Sequence, residues 1–530
     1  MVASRSAIAS DVGKQILQQG GNAVDAAVAT AFALAVTYPS AGNVGGGGFI
    51  VIRLPDGKVI TQDNREKAPL ASTRDMFLDA NGNVDRARAN RSLQSSGVPG
   101  TVAGLLDALA RYGTMKRDQV IAPAIKLARE GFILNEDIAG QFAENLQSFR
   151  QYPATLAKFS KNGEPYKAGE RWVQQDLADV LEKISKEGRD GFYKGEVADK
   201  IVAEMQRQGG LISKADLEQY QPVWREPIHG TYRGYDVWSM PPPSSGGVLI
   251  VEMLNMLEPY DLGKLGYGSA ATSHLLIEAQ RRAYADRAEY LGDPDFVNVP
   301  AAKMIEKAYA RLRFSDFDPE HATDSSKIGA GKWPDESPQT THLSVVDNKG
   351  QAVALTTTLN STYGNRIVVP GTGILMNDEM GDFTTKPNTP NSYGLISRSA
   401  NEIQPGKRML SSMAPTIVTR NGELVLVTGS PGGSTIINTV LQVLLNFIDH
   451  KMSAEQAVVS PRIYHQWMPD NVRYETGAIK EEAVKELNAM GHKGLNGSSF
   501  TVGDANTVVK QGDTLIGVSD PREVGGVSGY

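Results

Sequence analysis

Between Glu336 and Asp347 the chain reads ESPQTTHLSVVD, two threonines and a histidine at the head of an alternating segment. Thr341, Leu343 and Val345 alternate with Thr340, His342, Ser344 and Val346, the period-2 pattern of a strand. Taken alone, the stretch fits a plain strand, because threonine is a good strand former. A threonine hydroxyl is also a nucleophile once a base takes its proton. His342 shares a strand face with Thr340 but sits about 7 Å away by strand rise, too far to be that base directly. It is read as structural. The main chain offers another base. Cleavage of the Gln339–Thr340 bond would leave Thr340 with a free α-amine, of ordinary pKa about 7.7–8.0, beside its own hydroxyl. One cut would create nucleophile and base together.

Other chemistries are poorly served. The 530 residues contain no cysteine, which removes disulfides, thiolate metal sites and a cysteine nucleophile. The seven histidines show no metal-ligand spacing. There is no G-x-S-x-G elbow, H-E-x-x-H pair or G-x-G-x-x-G turn, and the GGGG run at 45–48 lacks the Lys-Ser/Thr of a phosphate loop. A net charge of −6 is no footprint for nucleic acid or an anionic membrane. No apolar stretch reaches membrane-spanning length; the longest, around 23–36, holds Asp25. No basic segment followed by an apolar core opens the chain, so no signal peptide lies within it.

The positioning elements follow from periodicity and stop signals. Val102, Leu105, Leu106 and Leu109 before Gly113, Leu177 to Ile184 before Gly188, and Val197, Ile201 and Met205 before Gly209 predict amphipathic helices with glycine stops. A longer helix is expected from Ser273 to Tyr290, and another from Ser434 to His450. Hairpins are expected at 48–62, at 341–357 and, around Asn421-Gly422, at 415–428. Antiparallel hairpins interleaved with helices indicate an α+β class. Residues 310–340, polar and rich in Gly, Pro and Ser, read as an exposed loop.

Several stretches together resemble the γ-glutamyltranspeptidase family of N-terminal-nucleophile hydrolases. They occur in the family's order: GGNAVDAAVA, NVGGGGF, NREKAP, SGVPGTVAG, the TTH site, TTLNSTYG, NDEMGDF, LSSMAP and GSPGG, with a similar C-terminal end. The resemblance implies an αββα sandwich of two stacked antiparallel sheets between helical layers. It also implies a precursor that cuts itself at Gln339–Thr340 into a large piece, 1–339, and a small piece, 340–530, held as a heterodimer.

By the same resemblance Thr340 is the nucleophile, Thr358 a second hydroxyl that aids processing, and Gly432 and Gly433 the oxyanion donors. Arg65, Ser411 and Ser412 would take the substrate α-carboxylate, and Glu379 and Asp382, helped by Asn360, its α-ammonium. Tyr393 would gate the pocket from a lid loop. Glutathione and related γ-glutamyl compounds are the implied donors, with water, amino acids or dipeptides as acceptors. No metal or organic cofactor is implied, and the location would be periplasmic or secreted. The sequence departs from the family pattern at Pro338, which stiffens the segment before the scissile bond, and at Glu379, where some relatives carry Gln. The alternatives are a glutaryl- or cephalosporin-type acylase of the same superfamily and an unprocessed, inactive relative.

Overall fold

The structure is a computed structural model that describes residues 1–329, 340–386, 399–498 and 501–530. Two sheets form its centre. The first has seven strands in the order Gly526–Ser528, Val2–Ser4, Thr341–Val346, Ala352–Thr358, Gly47–Arg53, Val59–Asn64 and Val223–Arg225. The second has six, in the order Thr514–Ser519, Asn506–Gln511, Glu423–Thr428, Thr416–Arg420, Tyr235–Ser239 and Ile228–Tyr232. Neighbours pair antiparallel in both sheets.

Period-2 alternation sorts each strand between two cores. Ile50, Ile52, Leu343, Val345, Val353 and Leu355 pack outward against a helical layer that includes Ala23–Thr37, Thr101–Tyr112 and Gln175–Glu187. Val51, Ala352, Ala354, Ile417, Val427 and Val508 fill the space between the sheets. Val418 and Leu426 face the second helical layer, built from Gly246–Leu257, Ala270–Tyr290 and Thr435–Ile448. The result is a four-layer αββα sandwich. Small residues between the sheets, Ala352 and Ala354 among them, let the layers approach closely.

The predicted helices appear as Thr101–Tyr112, Gln175–Glu187, Gly195–Gln208, Ala270–Tyr290 and Thr435–Ile448, and Gly209 closes its helix in the left-handed region at φ 71°. The three expected hairpins form, the last with a bulge at Val418/Thr419. The loop expected over 310–340 needs correction. Its first residues finish the helix Lys307–Arg313, and Ser325 is fully buried, its carbonyl accepting from Trp467 Nε1 at 2.8 Å. Residues 330–339, including Pro338 and Gln339, lie outside the described residues.

Candidate active site

Arg65, Thr340, Thr358, Asn360, Glu379, Asp382, Ser411, Ser412 and Gly433 line one small pocket. Nine of the residues named from the sequence thus meet, from segments up to 368 positions apart. Met413 and Ile436 complete the wall. Gly432 adjoins it through Gly433. Tyr393 lies outside the described residues.

Each residue arrives on a defined element. Thr340 immediately precedes the strand Thr341–Val346, third in the seven-stranded sheet, and is 6% exposed. Thr358 ends the neighbouring strand, and its hydroxyl accepts from the Asn360 N–H at 2.8 Å. Asn360 is held at φ 72°, a region Asn tolerates better than most residues, with its Nδ2 donating to the Asp378 carbonyl at 3.0 Å. That bond orients the amide and leaves Oδ1 as an acceptor. Arg65 follows the strand Val59–Asn64. The GGGG run lets the chain pass closely here: a side chain on Gly46 would meet the Thr358 carbonyl, and one on Gly47 the Glu66 carboxyl. Ser411 is fixed from behind, its carbonyl accepting from both the N–H and the hydroxyl of Ser245 at 2.7 Å. Ser412 Oγ accepts from Arg287 at 3.2 Å.

The charges are arranged more tightly than expected. Arg65 Nη1 lies 2.7 Å from Glu379 and Nη2 2.5 Å from Asp382, so the cation and the two acids pair with one another. Glu66, absent from the residues named from the sequence, sits 3.6 Å from the same guanidinium with both carboxyl oxygens buried and unbonded. Three carboxyls therefore share one guanidinium. Burial pushes all three upward against the pull of Arg65, Glu66 to about 8. Each holds its proton more readily than a free carboxyl, and the three titrate as a unit. Asp378, next to Glu379, is raised to about 6 by burial.

The Gly432-Gly433 turn has φ of 127° and 58°, both in the region that favours glycine, and leads into the helix Thr435–Ile448. Its carbonyls are occupied: the Gly432 oxygen accepts from Thr435 Oγ1 at 2.7 Å, the Gly433 oxygen from the Ile436 N–H at 3.1 Å. Among the described residues neither glycine N–H has an acceptor. Gly433 shares the pocket with Thr340, so the turn and the positive end of its helix lie at the pocket wall, an arrangement suited to a developing oxyanion.

His342 is structural, as expected. Its ring nitrogens engage Thr356 Oγ1 at 2.8 Å and Ser344 Oγ at 3.0 Å, and burial lowers its pKa to about 3. Elsewhere His274, Glu278 and His492 bring ligand-type atoms within 4.8 Å of one another. The two imidazoles hydrogen-bond at 2.7 Å, Glu278 is shared by Arg281 and Arg282, and His492 Nδ1 is buried without a hydrogen-bond partner.

A family model described as Gamma-glutamyltranspeptidase matches residues 9–530. The chain is 51% identical over 526 residues to the glutathione hydrolase proenzyme of Escherichia coli strain K12, covering 99% of this chain and 90% of that one. Among solved structures, the cephalosporin acylase of Bacillus halodurans superposes with a TM-score of 0.87 at 27% identity, covering 100% of this chain and 95% of that chain. The γ-glutamyltranspeptidase of Helicobacter pylori matches with a TM-score of 0.60 at 47% identity, covering 61% of this chain and 93% of that chain. The chain belongs to the γ-glutamyltranspeptidase family.

Proposed function

We propose that the chain matures by cutting its own Gln339–Thr340 bond and then transfers γ-glutamyl groups, from glutathione and related donors, to water, amino acids or dipeptides. The observation that carries this reading is the pocket itself. A threonine beside main-chain donors shares it with one guanidinium and two carboxylates, the complement of an α-amino-acid head. A zwitterion can exchange into the cluster with no change in net charge. Its carboxylate takes the planar fork of Arg65 with Ser411 and Ser412, and its ammonium takes Glu379, Asp382 and Asn360 Oδ1.

In the proposed cycle the Thr340 amine accepts the Oγ proton as Oγ bonds to the γ-amide carbon. The oxyanion rests on Gly432 and Gly433. The amine then gives its proton to the leaving nitrogen as the C–N bond breaks, and an ester remains. Water or an acceptor amine repeats the steps in reverse. Two features support retention of both pieces as a heterodimer. The strand at 341 is flanked by Val2–Ser4 on one side, and the strand Ala352–Thr358 pairs with Gly47–Arg53. Separation of 1–339 from 340–530 would break the central sheet.

The cephalosporin acylase likeness raises a second reading, a glutaryl acylase. A glutaryl group lacks the α-ammonium and would leave Glu379 and Asp382 without a substrate partner. We expect γ-glutamyl anilide to exceed glutaryl anilide in kcat/KM by ~100-fold or more. Equal values in steady-state assays would favour the acylase. The two donors should also differ in pH response. Cluster carboxyls that must be ionised to hold an ammonium have raised pKa values. The γ-glutamyl/glutaryl ratio of kcat/KM should therefore rise as pH increases through neutrality, while any limb due to the Thr340 amine cancels in the ratio. A flat ratio from pH 6 to 8.5, on the order of the ordinary amine and carboxyl range, would count against Glu379 and Asp382 as the ammonium site.

A further inference from the structure

Ser434 occupies the residue after the two glycines and stands at the N-cap of the helix Thr435–Ile448. A serine there ordinarily turns its hydroxyl onto the N–H groups of the first turn. Ser434 makes no such bond. Its hydroxyl lies 2.5 Å from the Tyr464 hydroxyl instead. Gln466 lies against the same pair of hydroxyls. Its Nε2 donates to the Met468 carbonyl at 3.2 Å, so its Oε1 faces Tyr464 and can only accept. Tyr464 donates to Gln466, and the Ser434 hydroxyl, bonded to that of Tyr464, also reaches Gln466 Oε1 at 3.5 Å. The Ser434 carbonyl is held separately, accepting from the hydroxyl of Tyr284 on the helix Ala270–Tyr290. Both tyrosines are buried. The residue that ends the glycine turn is thus pinned by its main chain from one side and by its side chain from the other. The helix N-terminus is left without a side-chain cap.

We propose that Tyr284 and Tyr464 are positioning residues that hold the Gly432-Gly433 donors at the oxyanion through Ser434. The proposal rests on the reading of those glycines as oxyanion donors. Glycine at φ 127° and 58° has wide conformational freedom, so the turn needs an external constraint to stay aimed. The clamp supplies it without touching substrate. Tyr284 lies before the Gln339–Thr340 bond and Tyr464 after it. The clamp therefore spans both proposed pieces, and a small piece alone would lack half of it.

The test uses Tyr284→Phe and Tyr464→Phe in the full chain, with intact mass confirming maturation before kinetics. Three quantities are read: kcat/KM for γ-glutamyl anilide, affinity for the γ-boronic acid analogue of glutamate, and affinity for glutamate. The boronate bonds to Thr340 Oγ as a tetrahedral anion, whereas glutamate occupies the ground-state pocket. Each variant should lose ~10-fold or more in kcat/KM and a similar factor in boronate affinity, with glutamate affinity within about twofold, the pattern of an interaction made only in the transition state. Unchanged kcat/KM and boronate affinity would overturn the proposal. So would parallel loss of boronate and glutamate binding, which marks a general collapse of the pocket. If Tyr284→Phe does not mature, Ser434→Ala removes only the Tyr464 side of the clamp and carries the same readouts. Wild-type turnover in Gly433→Ala would instead remove the oxyanion reading itself, a failure separable from that of the clamp.

Discussion

Thr340→Ala should yield a single full-length species of 530 residues that neither splits on long incubation nor turns over γ-glutamyl anilide. The unsubstituted chain should give two fragments, the smaller beginning TTHLSVVD. The expectation follows from elimination as much as from position. A hydroxyl needs a base, and the imidazole nearest in sequence, His342, is committed through both nitrogens and held neutral by burial. The amine released by cleavage is the one base that arrives with the nucleophile. Removing the hydroxyl therefore removes the attacking atom for processing and for turnover together. Activity should fall by ~10^4-fold or more, since members of such a unit act jointly. Thr340→Ser keeps both groups and should still mature. Cleavage or substantial turnover in Thr340→Ala, read by denaturing gel and intact mass, would place the nucleophile elsewhere.

The parts of this fold legible in the sequence are those set by local rules. Gly113, Gly188 and Gly209 mark helix ends, and Asn421-Gly422 marks a hairpin, because stops and turns depend on a few adjacent residues. The strand Val2–Ser4 was not legible. Three residues carry no period, and its place is set by pairing with Leu343–Val345 and Gly526–Ser528. The site was legible chiefly through family resemblance. On composition alone Glu379 and Asp382 look like solvated loop charges, yet both are buried. Their pairing with Arg65 spans more than 310 positions and leaves no local trace; the Arg65–Asp382 separation is 317. Glu66 stood beside Arg65 in NREKAP, where adjacent opposite charges usually mean a surface pair. Only burial separates that case from this one. Tyr284 and Tyr464 had no sequence signal, because their roles come from where two distant elements meet one turn.

Arg65 carries the second large effect, and two substitutions separate its charge from its shape. Arg65→Ala strands Glu66, Glu379 and Asp382 in a buried pocket with no cation. Breaking a buried pair in this way costs about 3–5 kcal/mol, and the carboxyls would lower that cost by taking up protons. A neutral cluster attracts no ammonium, and the α-carboxylate loses its fork at the same time. Both halves of head-group recognition should fail, with kcat/KM down by ~10^3-fold or more. Arg65→Lys is the sharper probe. It restores one positive charge but not two parallel donors aimed at separate acids, the geometry seen at 2.7 and 2.5 Å. A single ammonium can satisfy one carboxylate or the other, so the cluster loses its fixed spacing while staying charged. The donor KM should rise by ~10–100-fold while kcat changes by less, because Thr340 and the glycine turn are untouched. Steady-state kinetics on the matured variants gives both parameters, and denaturant unfolding gives the stability difference between Ala and Lys. A Lys variant with the parent KM would show that charge alone suffices. The planar fork would then be a feature of the resting pocket rather than of substrate recognition.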